Sequence, residues 1–216
     1  MGAFSELLDL LFPPRCVFCR KFLKRGEKSV CPRCEATLPY ANGTERHGDF
    51  FTVCVSPLYY EGDVRESILR YKFHEATGYA KTYGRLMAAC IREKLSGRWD
   101  LISWVPLSRE RYRERGYDQA MLLALACALE LGDVAVSTLE KFKNVEKQSK
   151  IGSAEKRRAN ISGVYRVTDP ELIADKRILL IDDIITTGAT LSECARTLRD
   201  AGAREVLCAA IACGRD

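Results

Sequence analysis

With 216 residues, the chain is long enough for one well-buried domain plus a small appendage and short for two full domains. It is 47% hydrophobic and 29% charged, a balance typical of a soluble globular protein. No apolar run approaches the ~20 residues of a membrane span, and the N-terminus lacks the features of a signal peptide. We therefore expect a cytoplasmic protein without membrane insertion.

The net charge of +5 is concentrated in two segments. Residues 15–35 and residues 141–158 each contain seven Lys or Arg against two Glu. Such segments favour contact with nucleic acid or with a phosphorylated small molecule, and they are equally typical of solvated surface.

The first motif along the chain is a pair of CxxC sequences. A short helix is predicted before it, ending at Pro13-Pro14. The two pairs are Cys16 with Cys19 and Cys31 with Cys34, and eleven residues lie between the pairs. Two such pairs can complete a tetrahedron of thiolates around Zn²⁺. Four cysteine ligands leave no open position, so we predict a structural zinc ribbon, whose metal supplies the folding energy that this short segment lacks. The other six cysteines stand singly among apolar residues, as buried thiols do in a reducing cytosol.

The domain boundary is predicted in the polar residues 41–50, with a helix and ribbon in 1–45 and a larger domain in 50–216. In the larger domain we predict strands at 51–60, 101–106, 163–167, 177–182 and 204–213. Helices are predicted at 62–73, 79–95, 119–131 and 190–202, and a charged loop at 106–118. Strands that alternate with helices predict a mostly parallel α/β sheet.

The most informative stretch is RILLIDDIITTGATL, residues 177–191. Ligands of open α/β folds bind beyond the carboxyl ends of the strands, where Asp182 and Asp183 are expected. Thr190-x-x-Glu193 fits a capping box, which predicts a helix start after the loop. Backbone amides of residues 186–190 would then form an anion site without a basic side chain. The carboxylates suit ribose hydroxyls, and Mg²⁺ between ribose and pyrophosphate is also compatible.

This stretch has three other interpretations. A Walker B strand requires an upstream GxxxxGK[ST], which does not occur. A phospho-receiver domain carries its acidic pair after the first strand. A strand with exposed terminal acids and a capped helix needs no ligand at all.

The stretch IDDIITTGAT resembles the phosphoribosyl pyrophosphate (PRPP) motif of type I phosphoribosyltransferases. The resemblance implies that Asp182 and Asp183 hold the ribose hydroxyls. It implies that the 5′-phosphate is bound by the following loop: Thr186, Thr187, Gly188, Ala189 and Thr190. Thr186 stands where purine-salvage members have Asp, which argues against hypoxanthine or guanine as the substrate.

Nearly the whole chain is similar to the ComF (competence protein F) family. The similarity includes the four-cysteine ribbon, the pattern Y.G.VRE.I...KF from Tyr60 to Phe73, VPLSRERYRERGYDQA, KQSKIGSAEKRRANISGVY and the PRPP motif. It implies a type I phosphoribosyltransferase-like (Rossmann-like) fold with an N-terminal zinc ribbon. Asp118 departs from the family's usual Asn: it would weaken binding if it touches pyrophosphate, and would serve as well if it caps a helix.

The resemblance also implies roles for two charged loops. Pyrophosphate is expected to contact Ser108, Arg109 and Arg115. A mobile lid is expected at residues 141–160, with Lys147 and Arg157 reaching the ligand. Lys72 could reach the site from the edge of the sheet, although a core-flanking helix explains its spacing equally well.

Two functions are compatible with these features. One is a Mg²⁺-dependent transferase that displaces pyrophosphate from PRPP at the anomeric carbon. The other is a non-enzymatic role in DNA uptake, which the resemblance to the ComF family implies; the ribbon and basic loops would then contact single-stranded DNA or a helicase partner. Stacking of bases would depend on the ribbon's few aromatic residues, Phe18, Phe22 and Tyr40.

Overall fold

The structure is a computed structural model that describes residues 13–42, 44–74, 76–142 and 163–215. Its helices are α1 (Pro32–Thr37), α2 (Gly62–Phe73), α3 (Tyr79–Leu95), α4 (Arg109–Arg115), α5 (Gln119–Leu131), α6 (Pro170–Ile173) and α7 (Ala189–Asp200). Its strands are β1 (Glu45–Arg46), β2 (Cys54–Val55), β3 (Leu58–Tyr59), β4 (Leu101–Trp104), β5 (Leu139–Lys141), β6 (Tyr165–Val167), β7 (Arg177–Ile185) and β8 (Glu205–Cys213). Among these helices none has the length and apolar character to cross a membrane.

The main sheet has the strand order β1-β2-β8-β7-β4, and β3 also pairs with β8. All its pairings are parallel except that of β1 with β2. The small sheet of β5 and β6 is antiparallel. The expectation of a mostly parallel α/β sheet is therefore confirmed.

Strand β7 joins the two apolar clusters of the fold, because its successive side chains point to opposite faces of the sheet. Leu179 and Ile181 belong to the cluster that also contains buried residues of α2, α3 and α5. Ile178 and Leu180 belong to the cluster that contains the buried face of α7. Both faces of the strand are thus covered, which explains why its sequence is a continuous apolar run.

The predicted charged loop at 106–118 is wrong in part, because its middle forms helix α4. The Ser108 hydroxyl accepts from the Arg111 amide (3.3 Å) at the start of this helix, and Gly116 ends it with a φ of 76°. Strand β7 also continues three residues beyond its predicted end at Asp182, because its pairing with β8 extends to Ile185 and Cys213.

The N-terminal segment packs on the larger domain. The Ser67 hydroxyl donates to the Val17 carbonyl (2.7 Å), and Arg70 donates to the carbonyls of Val17 (3.1 Å) and Phe18 (2.6 Å). The Phe18 ring lies 6.2 Å from the Tyr83 ring, measured between centroids. The ribbon is therefore docked on α2 and α3 and shares their apolar cluster.

Gly84 sets the distance between α3 and α5. A Cβ atom at this position would lie 2.7 Å from the Ala126 Cβ and 2.8 Å from its carbonyl carbon. We expect Gly84→Ala to lower the free energy of unfolding by about 1–3 kcal/mol, because backbone must shift to admit the methyl group. Chemical denaturation measures the change. Gly78→Ala is the matched control, since nothing lies within 4 Å of that Cβ; equal stability of the two variants would contradict the close approach.

Candidate functional site

Two adjacent carboxylates lie near the carboxyl end of β7, and both are partly buried. Asp182 is paired in register with Ala210 of β8. The Asp183 amide donates to Asp182 Oδ1 at 2.8 Å. Because successive strand residues point to opposite faces, the two side chains diverge and can grip different groups of one ligand.

The Asp182 carboxyl is held in an unfavourable environment for a charge. Burial raises its pKa well above the usual range of Asp, and the charge of Asp183 raises it further. The amide hydrogen bond from Asp183 opposes this shift. Hydroxyl donors or a cation placed here would stabilise the carboxylate.

Asp183 has a basic partner within the site. Lys72 Nζ lies 2.9 Å from Asp183 Oδ2, and the two side chains are only 18% and 15% exposed. Lys72 is the penultimate residue of α2. The structure thus brings Lys72 to the acids, one of the two possibilities that its spacing in the sequence left open.

The loop after β7 presents backbone amides to a small hollow. Gly188, at φ 73°, is the N-cap of α7, and it makes no side-chain capping bond. Within the described ranges, no carbonyl accepts from the amides of Thr187, Gly188 or Thr190. The hollow has a volume of about 40 Å³ and is lined by Asp182 and residues 184–191. Such amides at a helix start favour an anion.

The predicted capping box at Thr190 is wrong, because α7 already begins at Ala189. Glu193 instead accepts from the Gly163 amide (2.6 Å) and pairs with Arg196 (2.8 Å). Glu193 therefore links α7 to Gly163, which precedes β6. It does not take part in a capping box, so the amides of the loop stay available to another acceptor.

Arg46 also belongs to this region, and the sequence analysis did not predict its role. Its guanidinium donates to the Thr186 carbonyl (2.9 Å) and to the Gly214 carbonyl (2.7 Å). It fixes the start of the loop to the end of β8 and places a positive charge beside the hollow. Because 140 residues separate Arg46 from Thr186, no local pattern could have indicated this contact.

The residues expected to bind pyrophosphate have other contacts in the structure. Ser108 is buried and its hydroxyl caps α4. Arg109 is exposed at the start of that helix. Arg115 donates to Gln119 Oε1 (2.7 Å) and lies 4.9 Å from the centroid of the Phe73 ring. Lys147 and Arg157 lie outside the described residues.

Asp118 caps a helix. Its Oδ1 accepts from the Met121 amide (3.0 Å) at the start of α5, and its Oδ2 accepts from the Leu107 amide (2.9 Å). One carboxylate thus holds α5 and the segment before α4 together. Of the two roles weighed for this position, the capping role is the one observed, and Asp fills it.

The four ribbon cysteines form a metal-binding cluster. Their Sγ atoms all lie within 4.8 Å of one another, and Cys19 Sγ is 3.7 Å from Cys31 Sγ. A tetrahedral zinc with bonds of about 2.3 Å separates its sulfurs by about 3.8 Å, whereas a disulfide requires about 2.05 Å. The geometry fits four thiolates on one structural zinc ion.

The backbone around Cys16 favours its thiolate, whereas burial raises the pKa of Cys19 and of Cys34. Cys16 Sγ accepts from the Cys31 amide at 3.4 Å. Burial acts to raise the pKa of Cys16, but hydrogen bonds from the amides of Cys31, Cys19 and Phe18 outweigh it, and the pKa is lowered. A metal ligand must be deprotonated, so this shift suits zinc.

The ribbon's aromatic side chains are unequally exposed. Phe18 is 1% exposed, Phe22 is 57% exposed, and Tyr40 is 36% exposed. Arg15 lies over the Phe22 ring at 4.2 Å from its centroid. Phe18 is thus part of the core rather than a surface on which a base could stack.

Two known families match separate parts of the chain. Residues 117–216 match the family described as Phosphoribosyl transferase domain. Residues 7–46 match the family described as Double zinc ribbon domain.

Curated relatives match along most of the chain. Competence protein F of Haemophilus influenzae is 26% identical over 89% of this chain and 93% of its own length. Competence protein ComFC of Bacillus subtilis is 29% identical over 87% of this chain and 78% of its own length. DNA utilization protein YhgH of Escherichia coli K12 is 25% identical over 88% and 86%. Among solved structures, the allosteric regulatory enzyme of purine biosynthesis is 20% identical, with a TM-score of 0.44 over 65% of this chain and 29% of its own.

Removal of zinc is expected to unfold the ribbon and weaken its docking on α2 and α3. Structural zinc sites supply folding energy directly, so Cys34→Ser should lower zinc content below one ion per chain and reduce thermal stability. Elemental analysis and thermal unfolding measure both. Cys90→Ser, at a partly exposed lone thiol, is the control. Full stability after chelation would contradict a structural metal.

Asp118 is expected to make stability depend on pH. Burial raises its pKa, and the amides of Leu107 and Met121 only partly offset this. The folded chain therefore binds this proton more tightly than the unfolded one, whose Asp pKa is about 3.9, and the residue's contribution to stability falls as pH rises above that value. Asp118→Asn does not ionise, so its stability relative to the wild type should increase between pH 4 and 7. A constant difference in denaturant titrations would contradict this assignment.

Proposed function

We propose that the chain binds PRPP with Mg²⁺ beside β7, because it is similar to competence protein F along most of its length and matches the Phosphoribosyl transferase domain family over residues 117–216. The observation that supports this most is the position of the acidic pair. Asp182 lines the same hollow as the loop in which the amides of Thr187, Gly188 and Thr190 have no carbonyl acceptor among the described residues. Acceptors for hydroxyls and donors for phosphate thus lie side by side.

Each part of this site suits one part of PRPP. The carboxylates of Asp182 and Asp183 accept hydrogen bonds from the ribose 2′ and 3′ hydroxyls and can also hold Mg²⁺. The amides and hydroxyls of residues 186–190 bind the 5′-phosphate, aided by the N-terminal dipole of α7. Arg46 supports this loop through the Thr186 carbonyl.

Pyrophosphate is assigned to residues at the two ends of α4 and to two basic residues further along the chain. Ser108 and Arg109 begin α4, and Arg115 ends it. Lys147 and Arg157, outside the described residues, complete the proposed set. Arginine suits phosphate because its planar fork donates two parallel hydrogen bonds.

The reaction that such a site supports is substitution at the anomeric carbon. A bond forms from an acceptor nucleophile to C1 of the ribose, while the bond from C1 to pyrophosphate breaks and its electron pair leaves with pyrophosphate. The chain contributes positioning and charge stabilisation. Bound Mg²⁺ would supply further neutralisation of the phosphates.

We place this role in DNA uptake, because the relatives are named competence protein and DNA utilization protein. The alternative, base stacking on the ribbon itself, has less support. Phe18 is buried against Tyr83, and the ribbon turns that face towards α2 and α3. A DNA-uptake helicase remains a partner compatible with the exposed side of the ribbon.

Isothermal titration calorimetry with PRPP and Mg²⁺ tests the proposal. The wild type should bind, and Asp182→Asn and Asp183→Asn should each weaken binding about 10- to 100-fold, because each removes a charge-assisted acceptor. Asp63→Asn, at an exposed position of α2, should bind like the wild type. A wild type that does not bind PRPP overturns the proposed function. Binding that survives both substitutions overturns the assignment of these residues.

A further inference from the structure

Helix α2 connects the zinc ribbon to the acidic pair. Near its middle, Ser67 and Arg70 donate to the ribbon carbonyls of Val17 and Phe18. At its end, Lys72 forms the ion pair with Asp183. Arg70 and Ser67, which hold the ribbon, thus lie two and five positions before Lys72, which contacts Asp183.

The last turn of α2 is fixed on both sides of Lys72. The Tyr71 hydroxyl donates to the Gln119 carbonyl (2.8 Å), and the Tyr117 hydroxyl donates to the Tyr71 carbonyl. Phe73 lies beneath the guanidinium of Arg115. Residues 115–119 thus hold both neighbours of Lys72, which fixes its backbone beside the site.

The charge of Lys72 complements the proposed ligand. Two carboxylates and a polyanionic ligand in one partly buried place repel each other unless cations separate them. The backbone loop supplies dipoles, whereas the ammonium of Lys72 supplies a full charge. It carries three donor hydrogens, so it can keep Asp183 and also donate to a phosphate oxygen.

On these contacts, and on the premise of the proposed function, we propose that Lys72 is a binding residue of the phosphoribosyl site. Its ammonium holds Asp183 in place for the ribose and donates to a phosphate oxygen of the ligand. The zinc ribbon, by clamping α2, is a structural part of the same site. The ribbon then acts through Lys72 on ligand affinity, whatever other partner its outer surface contacts.

The first arm of the test changes Lys72 in the full-length, zinc-loaded chain. Calorimetry with PRPP and Mg²⁺ should show about 10- to 100-fold weaker binding for Lys72→Met, because a charge-assisted hydrogen bond is lost. Lys72→Arg, which keeps the charge, should recover part of the affinity. Lys81→Met, on the exposed side of α3, is the control and should bind like the wild type.

Two results of this arm would overturn the inference. Unchanged affinity in Lys72→Met would mean that the ammonium does not contact the ligand. Tighter binding would mean that Lys72 only blocks Asp183. Failure of the wild type itself to bind PRPP would instead reject the proposed function, so the two failures are distinguishable.

The second arm changes the contact between ribbon and helix. Arg70→Met removes the donors to Val17 and Phe18 but touches none of the four cysteines, so zinc content should stay at one ion per chain. Hydrogen exchange of residues 13–42 should increase, and PRPP affinity should fall several-fold. Arg65→Met, on the exposed face of α2, is the control. Faster exchange with unchanged affinity would show that the ribbon is independent of the site.

Discussion

The central constraint on this molecule is that two adjacent carboxylates lie on a strand that is buried on both faces. Strand β7 is covered by helices on each side, and Asp182 and Asp183 follow its apolar run directly. Burial disfavours the charge, so the surroundings must compensate it. A compensating group comes from a distant part of the chain: the Lys72 ammonium meets Asp183, whereas the pKa of Asp182 remains raised by burial.

This arrangement gives the two proposed halves of the ligand separate surroundings. In the proposed complex, backbone amides and a helix dipole would serve the 5′-phosphate, and they would bring donors without adding a mobile charged side chain. Arg46 fixes the loop from outside by binding carbonyls at two chain positions. Further positive charges lie on α2 and α4, at Lys72, Arg109 and Arg115, where we propose that pyrophosphate is bound.

The ribbon is built by a different principle from the domain that it joins. It has too few apolar residues to fold alone, and four thiolates within 4.8 Å of one another replace the missing core. Its few buried side chains, such as Val17 and Phe18, enter the apolar cluster of α2 and α3. Metal ligation and docking therefore stabilise each other, because the carbonyls that Arg70 binds belong to the same turn as Cys16 and Cys19.

The sequence by itself determined the class of fold, the ribbon's ligands and the place of the acidic pair, because these depend on local periodicity and spacing. The bounds of α2, α3 and α5 agree with their predicted ranges for the same reason. Helix α4 and the true start of α7 were missed, since charged residues and a glycine cap obscured the pattern. Only the tertiary structure placed Lys72 on Asp183, Arg46 on the loop and the ribbon on α2, because each contact joins residues far apart in the chain.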